Sequence, residues 1–145
     1  MRERSSPPRT TRRRSIPVGY WLPVMLWVGI MFLLSSLPDP SGLLGSRLVS
    51  LGDAVLHSGG FVVLAILVSR VAFCLAGGFG LRPIGWALLC CAGYGLLDEL
   101  HQIAIPGRGF AWTDWLADLG GALVGGVIAW VVGGLVGGQR RRHRS

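Results

Sequence analysis

Three short runs hold the residues that could do chemistry. His57 follows Asp53 by four residues; Asp98, Glu99 and Gln102 lie in L-D-E-L-H-Q; Asp114 and Asp118 lie in T-D-W-L-A-D. Each run borders or interrupts a stretch apolar enough for a bilayer, where an ionisable side chain is costly and is usually kept for function. On a helix, i, i+3 and i, i+4 spacings stack side chains on one face, so Asp53 meets His57, Asp98 and Glu99 meet Gln102, and Asp114 meets Asp118. Histidine suits general acid or base work near neutral pH. Carboxylate oxygens suit a divalent cation, and Arg108, set between Gly107 and Gly109, offers a planar donor fork to a phosphate or carboxylate.

The elements that must position these groups follow from hydropathy. Of 145 residues, 51% are hydrophobic, and they come in long blocks that point to a membrane protein. A helical span needs about 20 mostly apolar residues. The stretches 18–37, 53–76, 84–105 and 113–136 meet that requirement and leave no soluble domain. The expected fold class is all-α, a four-helix transmembrane bundle. Residues 1–17, rich in Arg, Ser, Pro and Thr, are expected to be a disordered basic tail, 18–138 the membrane domain, and 139–145 a second basic tail.

Every Lys/Arg-type cation is arginine, and most arginines lie at the ends: Arg2, Arg4, Arg9, Arg12, Arg13 and Arg14 before the first span, Arg140, Arg141, Arg142 and Arg144 after the last. In a soluble chain a net charge of +7 would suggest nucleic acid. In a membrane chain it is the excess that the positive-inside rule places in the cytoplasm, so no nucleic-acid partner is expected. Both termini are then cytoplasmic in a multi-pass plasma-membrane protein, Arg70 and Arg82 fall inside, and Arg47 and Arg108 outside. Membrane lipids are the expected partners of the tails. Cys74, Cys90 and Cys91 lie within spans with no C-x-x-C spacing and read as packing residues.

Local signals sharpen the boundaries. Pro38 and Pro40 stop the first span, and Leu43, Leu44, Leu48, Val49 and Leu51 could form a short interfacial helix. Span three is expected to end near Ile105, before Pro106 and Gly107, and Thr113 to cap span four. Ala117, Gly121, Gly125, Ala129, Gly133 and Gly137 form a four-residue ladder of small side chains that lets another backbone approach closely.

Topology brings the runs together. Span two starts outside, span three ends outside and span four starts outside, so all three polar runs fall in the outer part of the bilayer and should face inward. One reading is a structural network with Arg108 paired to a carboxylate. Against it, Asp53, Asp98, Glu99, Asp114 and Asp118 outnumber Arg47 and Arg108. Some of these acids must be protonated, bind a metal ion or await a cationic ligand.

At these residues the chain resembles the VanZ-like membrane protein family. The resemblance rests on Ser35, Ser36 and Pro38; on Asp53 and His57; on Asp98, Glu99 and Gln102; on Pro106, Gly107 and Arg108; and on Asp114, Asp118 and Gly121. It covers about residues 20 to 136. Ala54 stands where the family commonly has Lys, and Asp118 where it usually has Asn, which makes this pocket more acidic than the family's norm. The family's namesake is associated with low-level resistance to teicoplanin, so the resemblance implies a site at the cell envelope and a link to antibiotic tolerance.

Three functions fit these residues. The first is an enzyme acting at the outer leaflet on a lipid-linked or cell-envelope substrate, with His57 as general acid or base, Asp53 orienting it, Gln102 fixing the geometry and Arg108 clamping a phosphate or carboxylate. A divalent metal ion would sit among Glu99, Asp114 and Asp118, with Asp98 beside them. The second is a non-catalytic binder of envelope components or of a glycopeptide. The third is a proton or ion pathway, which lacks a matching relay of polar residues in the inner half.

Overall fold

The computed structural model describes residues 16–38 and 53–142, with side-chain surroundings for 16–38 and 55–136. The expected disordered tail, the interfacial helix near Leu48 and the side chain of Asp53 lie outside the described residues. The described elements are four helices: α1 (Val18–Ser35), α2 (Asp53–Ala76), α3 (Leu81–Gln102) and α4 (Trp112–Arg142). Three of them, α1, α2 over Val55–Ala76 and α4 over Trp112–Val136, are long and apolar enough to cross a membrane. The fourth, α3, carries Arg82, Asp98 and Glu99 among its apolar residues.

The bundle is polar inside and apolar outside at one end, the reverse of a soluble core. Asp98, Glu99, Gln102 and Asp118 are buried, whereas Leu97, Leu100, Leu116 and Leu123 on the same helices are exposed. Lipid rewards that arrangement because apolar side chains gain nothing by leaving it and charged ones lose much by entering it.

The most extensive interface joins α2 and α4, and small residues make it possible. A Cβ added at Gly121 would collide with the Ser58 carbonyl, and one at Gly125 with the Val62 carbonyl. Those two ladder positions therefore let the α2 and α4 backbones touch, as the small-residue spacing predicts. Ala129 is buried on the same face, Gly133 faces Phe73 and Phe79, and Gly137 lies beyond the residues whose surroundings are described. Among the described residues α1 packs on α2 and more lightly on α3, and does not meet α4.

Two boundaries differ from the sequence expectation, each for a local reason. Helix α3 ends at Gln102, not at Ile105. Pro106 disfavours helical geometry at the residue before it, and Ile105-Pro106-Gly107-Arg108 closes a turn through an Arg108 N–H to Ile105 carbonyl bond of 3.1 Å. Gly107 supplies the left-handed φ of 82° that such a turn requires. Helix α4 begins at Trp112, so Thr113 lies inside its first turn and does not cap it. The amide just before the helix, Ala111 N–H, donates instead to Glu99 Oε2 at 2.8 Å, a capping carboxylate supplied by a neighbouring helix.

Candidate functional site

Four helix segments build the polar end of the bundle: the end of α1, the start of α2, the end of α3 and the start of α4. Each presents its polar residue at the depth its position in the helix sets, one turn or so from the terminus. From α2, His57 is partly buried. From α3, Glu99 is fully buried at 0% exposure, and from α4, Asp118 is at 1%. One ligand-capable atom of each of these three lies within 4.8 Å of the other two.

Within this cluster His57 Nδ1 lies 3.4 Å from Asp118 Oδ1. Asp118 fits because residue 95 is glycine. A Cβ there would stand 3.1 Å from Asp118 Oδ2 and 3.2 Å from the Phe61 ring, so an alanine would force one of them to give by a few tenths of an ångström. Glu99 is oriented by the Ala111 amide on one oxygen. Among the described residues its other oxygen, Oε1, and both oxygens of Asp118 make no hydrogen bond.

Beside the cluster, between α1, α2 and α3, lies a cavity of about 320 Å³. His57, Asp98, Arg108 and Ser35 line it together with the apolar side chains of Trp27, Ile30, Met31, Leu34, Val55 and Val63. Gln102 Nε2 donates to Asp98 Oδ2 at 3.3 Å, while Asp98 Oδ1 is buried and makes no hydrogen bond among the described residues. Arg108 Nη1 donates to the Ser35 carbonyl at 3.3 Å, which ties the α3–α4 turn to the end of α1. The cavity wall is braced by Trp27, whose Nε1 donates to the Gly60 carbonyl at 3.0 Å.

The structure thus gathers His57, Glu99 and Asp118 in one cluster and His57, Asp98 and Arg108 around one cavity, with His57 common to both. Gln102 acts through Asp98. Asp114 is not one of the three grouped ligands: it is one turn nearer the start of α4, partly exposed, and its Oδ1 accepts from Thr113 Oγ1 at 3.4 Å. Of the three carboxylates expected to hold a metal, Glu99 and Asp118 meet, and the described residues place His57 with them in the position given to Asp114. His101, in the same polar run, turns the other way. It stacks on Phe32 with ring centroids 4.7 Å apart, and its Nε2 is 3.1 Å from Ser36 Oγ, so it joins α3 to α1.

Sequence reasoning missed the contribution of α1. Trp27, Ile30, Met31 and Leu34 form one wall of the cavity, yet they read as ordinary span residues. The one signal was the S-S-x-P ending of that helix, since Ser35 both lines the cavity and receives the Arg108 bond through its carbonyl. A family model described as VanZ/LLP1 matches residues 20–133 of the chain. No curated protein and no solved structure matches it.

Proposed function

The chain belongs to the VanZ family, and from that premise we propose that it is a four-span plasma-membrane protein acting on a lipid-linked or cell-envelope substrate from the outer side. Both termini face the cytoplasm in this reading. The arginine excess before α1 and after α4 supports that orientation, and α3 is the fourth span, its charges sheltered inside the bundle.

The observation that carries the reading is the cavity shared by α1, α2 and α3. Its volume of about 320 Å³ falls at the lower end of small-molecule sites, which run from about 300 to 1,000 Å³. An amphiphile suits its lining: a hydrocarbon tail lies against Trp27, Ile30, Met31 and Leu34, and a polar head reaches His57, Asp98 and Arg108. Arg108 is suited to a phosphate or carboxylate on that head. The His57, Glu99 and Asp118 cluster is then the reacting centre, placed where the head ends. The family's association with teicoplanin makes a lipid-linked cell-wall precursor the first substrate class to test, and glycopeptide tolerance the cellular readout.

The direct test uses the full chain in lipid nanodiscs with a mass-labelled, phosphate-bearing lipid-linked precursor. Turnover that falls by about 100-fold or more in His57→Ala, as removal of a general acid–base group does, supports the enzyme. Saturable binding without turnover replaces it with a binding protein. Neither binding nor turnover contradicts the reading.

A further inference from the structure

His57, Glu99 and Asp118 come from three different helices and still bring one donor atom each within 4.8 Å. Two further observations say what the space between them is built for. Among the described residues Glu99 Oε1 and both Asp118 oxygens are buried and make no hydrogen bond, in residues that are 0% and 1% exposed. Buried carboxylate oxygens of this kind call for a donor or a cation. The second observation is a distance. His57 Nδ1 and Asp118 Oδ1 stand 3.4 Å apart, whereas an N⁺–H to carboxylate bond closes to about 2.7–2.9 Å. A tetrahedral ion with bonds of about 2.0–2.1 Å sets its ligands roughly 3.3–3.4 Å from each other; the His57–Asp118 pair stands at that spacing, and Glu99, within 4.8 Å of both, reaches it by a side-chain adjustment.

We propose that His57, Glu99 and Asp118 together bind one divalent transition-metal ion of the zinc class. Imidazole nitrogen with carboxylate oxygen favours such an ion over magnesium or calcium, which take oxygen ligands. Three protein ligands leave a fourth position for water or substrate, the pattern of zinc sites that do chemistry. Because His57 also lines the cavity, that position adjoins the place assigned to the polar head. Glu99 is already held as a metal-binding carboxylate is, by an outer donor on its second oxygen, the Ala111 amide. Gly95, where a Cβ would stand 3.1 Å from Asp118 Oδ2, leaves room for that carboxylate.

The proposal rests on the reading above for the role of the ion in turnover, and not for its binding. The experiment is a titration of the full chain in nanodiscs, first stripped with a chelator, with Zn²⁺ alone and with Mg²⁺ alone, read by calorimetry and by metal content. One equivalent of Zn²⁺ per chain is expected, with affinity reduced by more than about 100-fold in His57→Ala and in Asp118→Asn, since even outer-shell losses cost 10- to 100-fold. Asp114→Asn is expected to keep wild-type affinity. If the ligand variants fail to insert or fold, X-ray absorption of the Zn²⁺-loaded wild type decides, with one nitrogen and two carboxylate ligands expected. No uptake by the folded wild type, a preference for Mg²⁺, or unchanged affinity in folded His57→Ala overturns the site. Lipid turnover that persists in the stripped protein removes the ion from the chemistry and leaves the substrate reading standing; Zn²⁺ binding without lipid binding or turnover does the opposite.

Discussion

Two cavities among the described residues are of nearly equal size, about 320 Å³ beside His57 and about 290 Å³ between α1, α2 and α3 farther along the helices. The second is lined by Trp21, Val24, Val28, Leu64, Val68 and their neighbours, with no carboxylate, arginine or histidine. It resembles the gaps that irregular helix packing leaves. The first is lined by similar apolar residues but ends in His57, Asp98 and Arg108, beside a cluster of buried carboxylates. Volume therefore separates the two poorly. The difference lies in polar atoms buried at a cost, since only the first has carboxylate oxygens that the protein itself leaves unsatisfied.

Four comparisons among variants can break or sharpen this contrast. The largest effect is expected from the polar centre: His57→Ala or Asp118→Asn should reduce turnover of a lipid-linked substrate by about 100-fold or more, while Cys90→Val, in the lining of the second cavity, leaves it unchanged. Equal losses in both would erase the distinction. Next, Gly121→Leu forces atoms into the Ser58 backbone and should cost about 3 kcal/mol or more, measured by reversible unfolding in mixed micelles. Its control is Gly120→Ala, where the added Cβ meets nothing within 4 Å, and stability should hold or rise by up to about 1 kcal/mol.

Third, Glu99→Ala strands the Ala111 amide and should destabilise the fold by about 1–3 kcal/mol. Glu99→Gln keeps an acceptor there, so it should recover most of that stability while still losing turnover. A Glu99→Gln protein as unstable as Glu99→Ala would mean the amide contact does not position the residue. The smallest effect belongs to the far end of the bundle. Arg70 lies 5.6 Å from the centroid of the Tyr20 ring and is exposed, so Arg70→Gln should cost only about 0.5–1 kcal/mol with no change in turnover.

Much of this site was legible in the residues. Charge inside an apolar run has few places to go, so Asp98, Glu99 and Asp118 had to point inward, and the ladder through Gly121 and Gly125 announced a close helix contact. What the spacing leaves open is rotation about the helix axes. It pairs His57 with Asp53, four residues away on the same helix; the described contact is to Asp118, across a helix interface that only the Gly121 approach makes short. It also sets Asp114 beside Asp118, although one turn of α4 carries Asp114 out toward the helix start. The end of α3 was read three residues too far because hydropathy continues through Ile103, Ala104 and Ile105, while the backbone obeys Pro106 and Gly107. The α1 wall was hidden for a different reason: an apolar residue facing a cavity and one facing lipid look alike in sequence.

The central claim is that the cavity beside His57 takes an amphiphile, and photo-crosslinking tests it most directly. A photoreactive side chain is placed at Met31 or Val63 in the first cavity and at Val68 in the second, and the full chain is illuminated in native membranes. The account predicts that one class of phosphate-bearing lipid is captured at Met31 and Val63 but not at Val68. Capture of bulk membrane lipid equally at all three positions would contradict it.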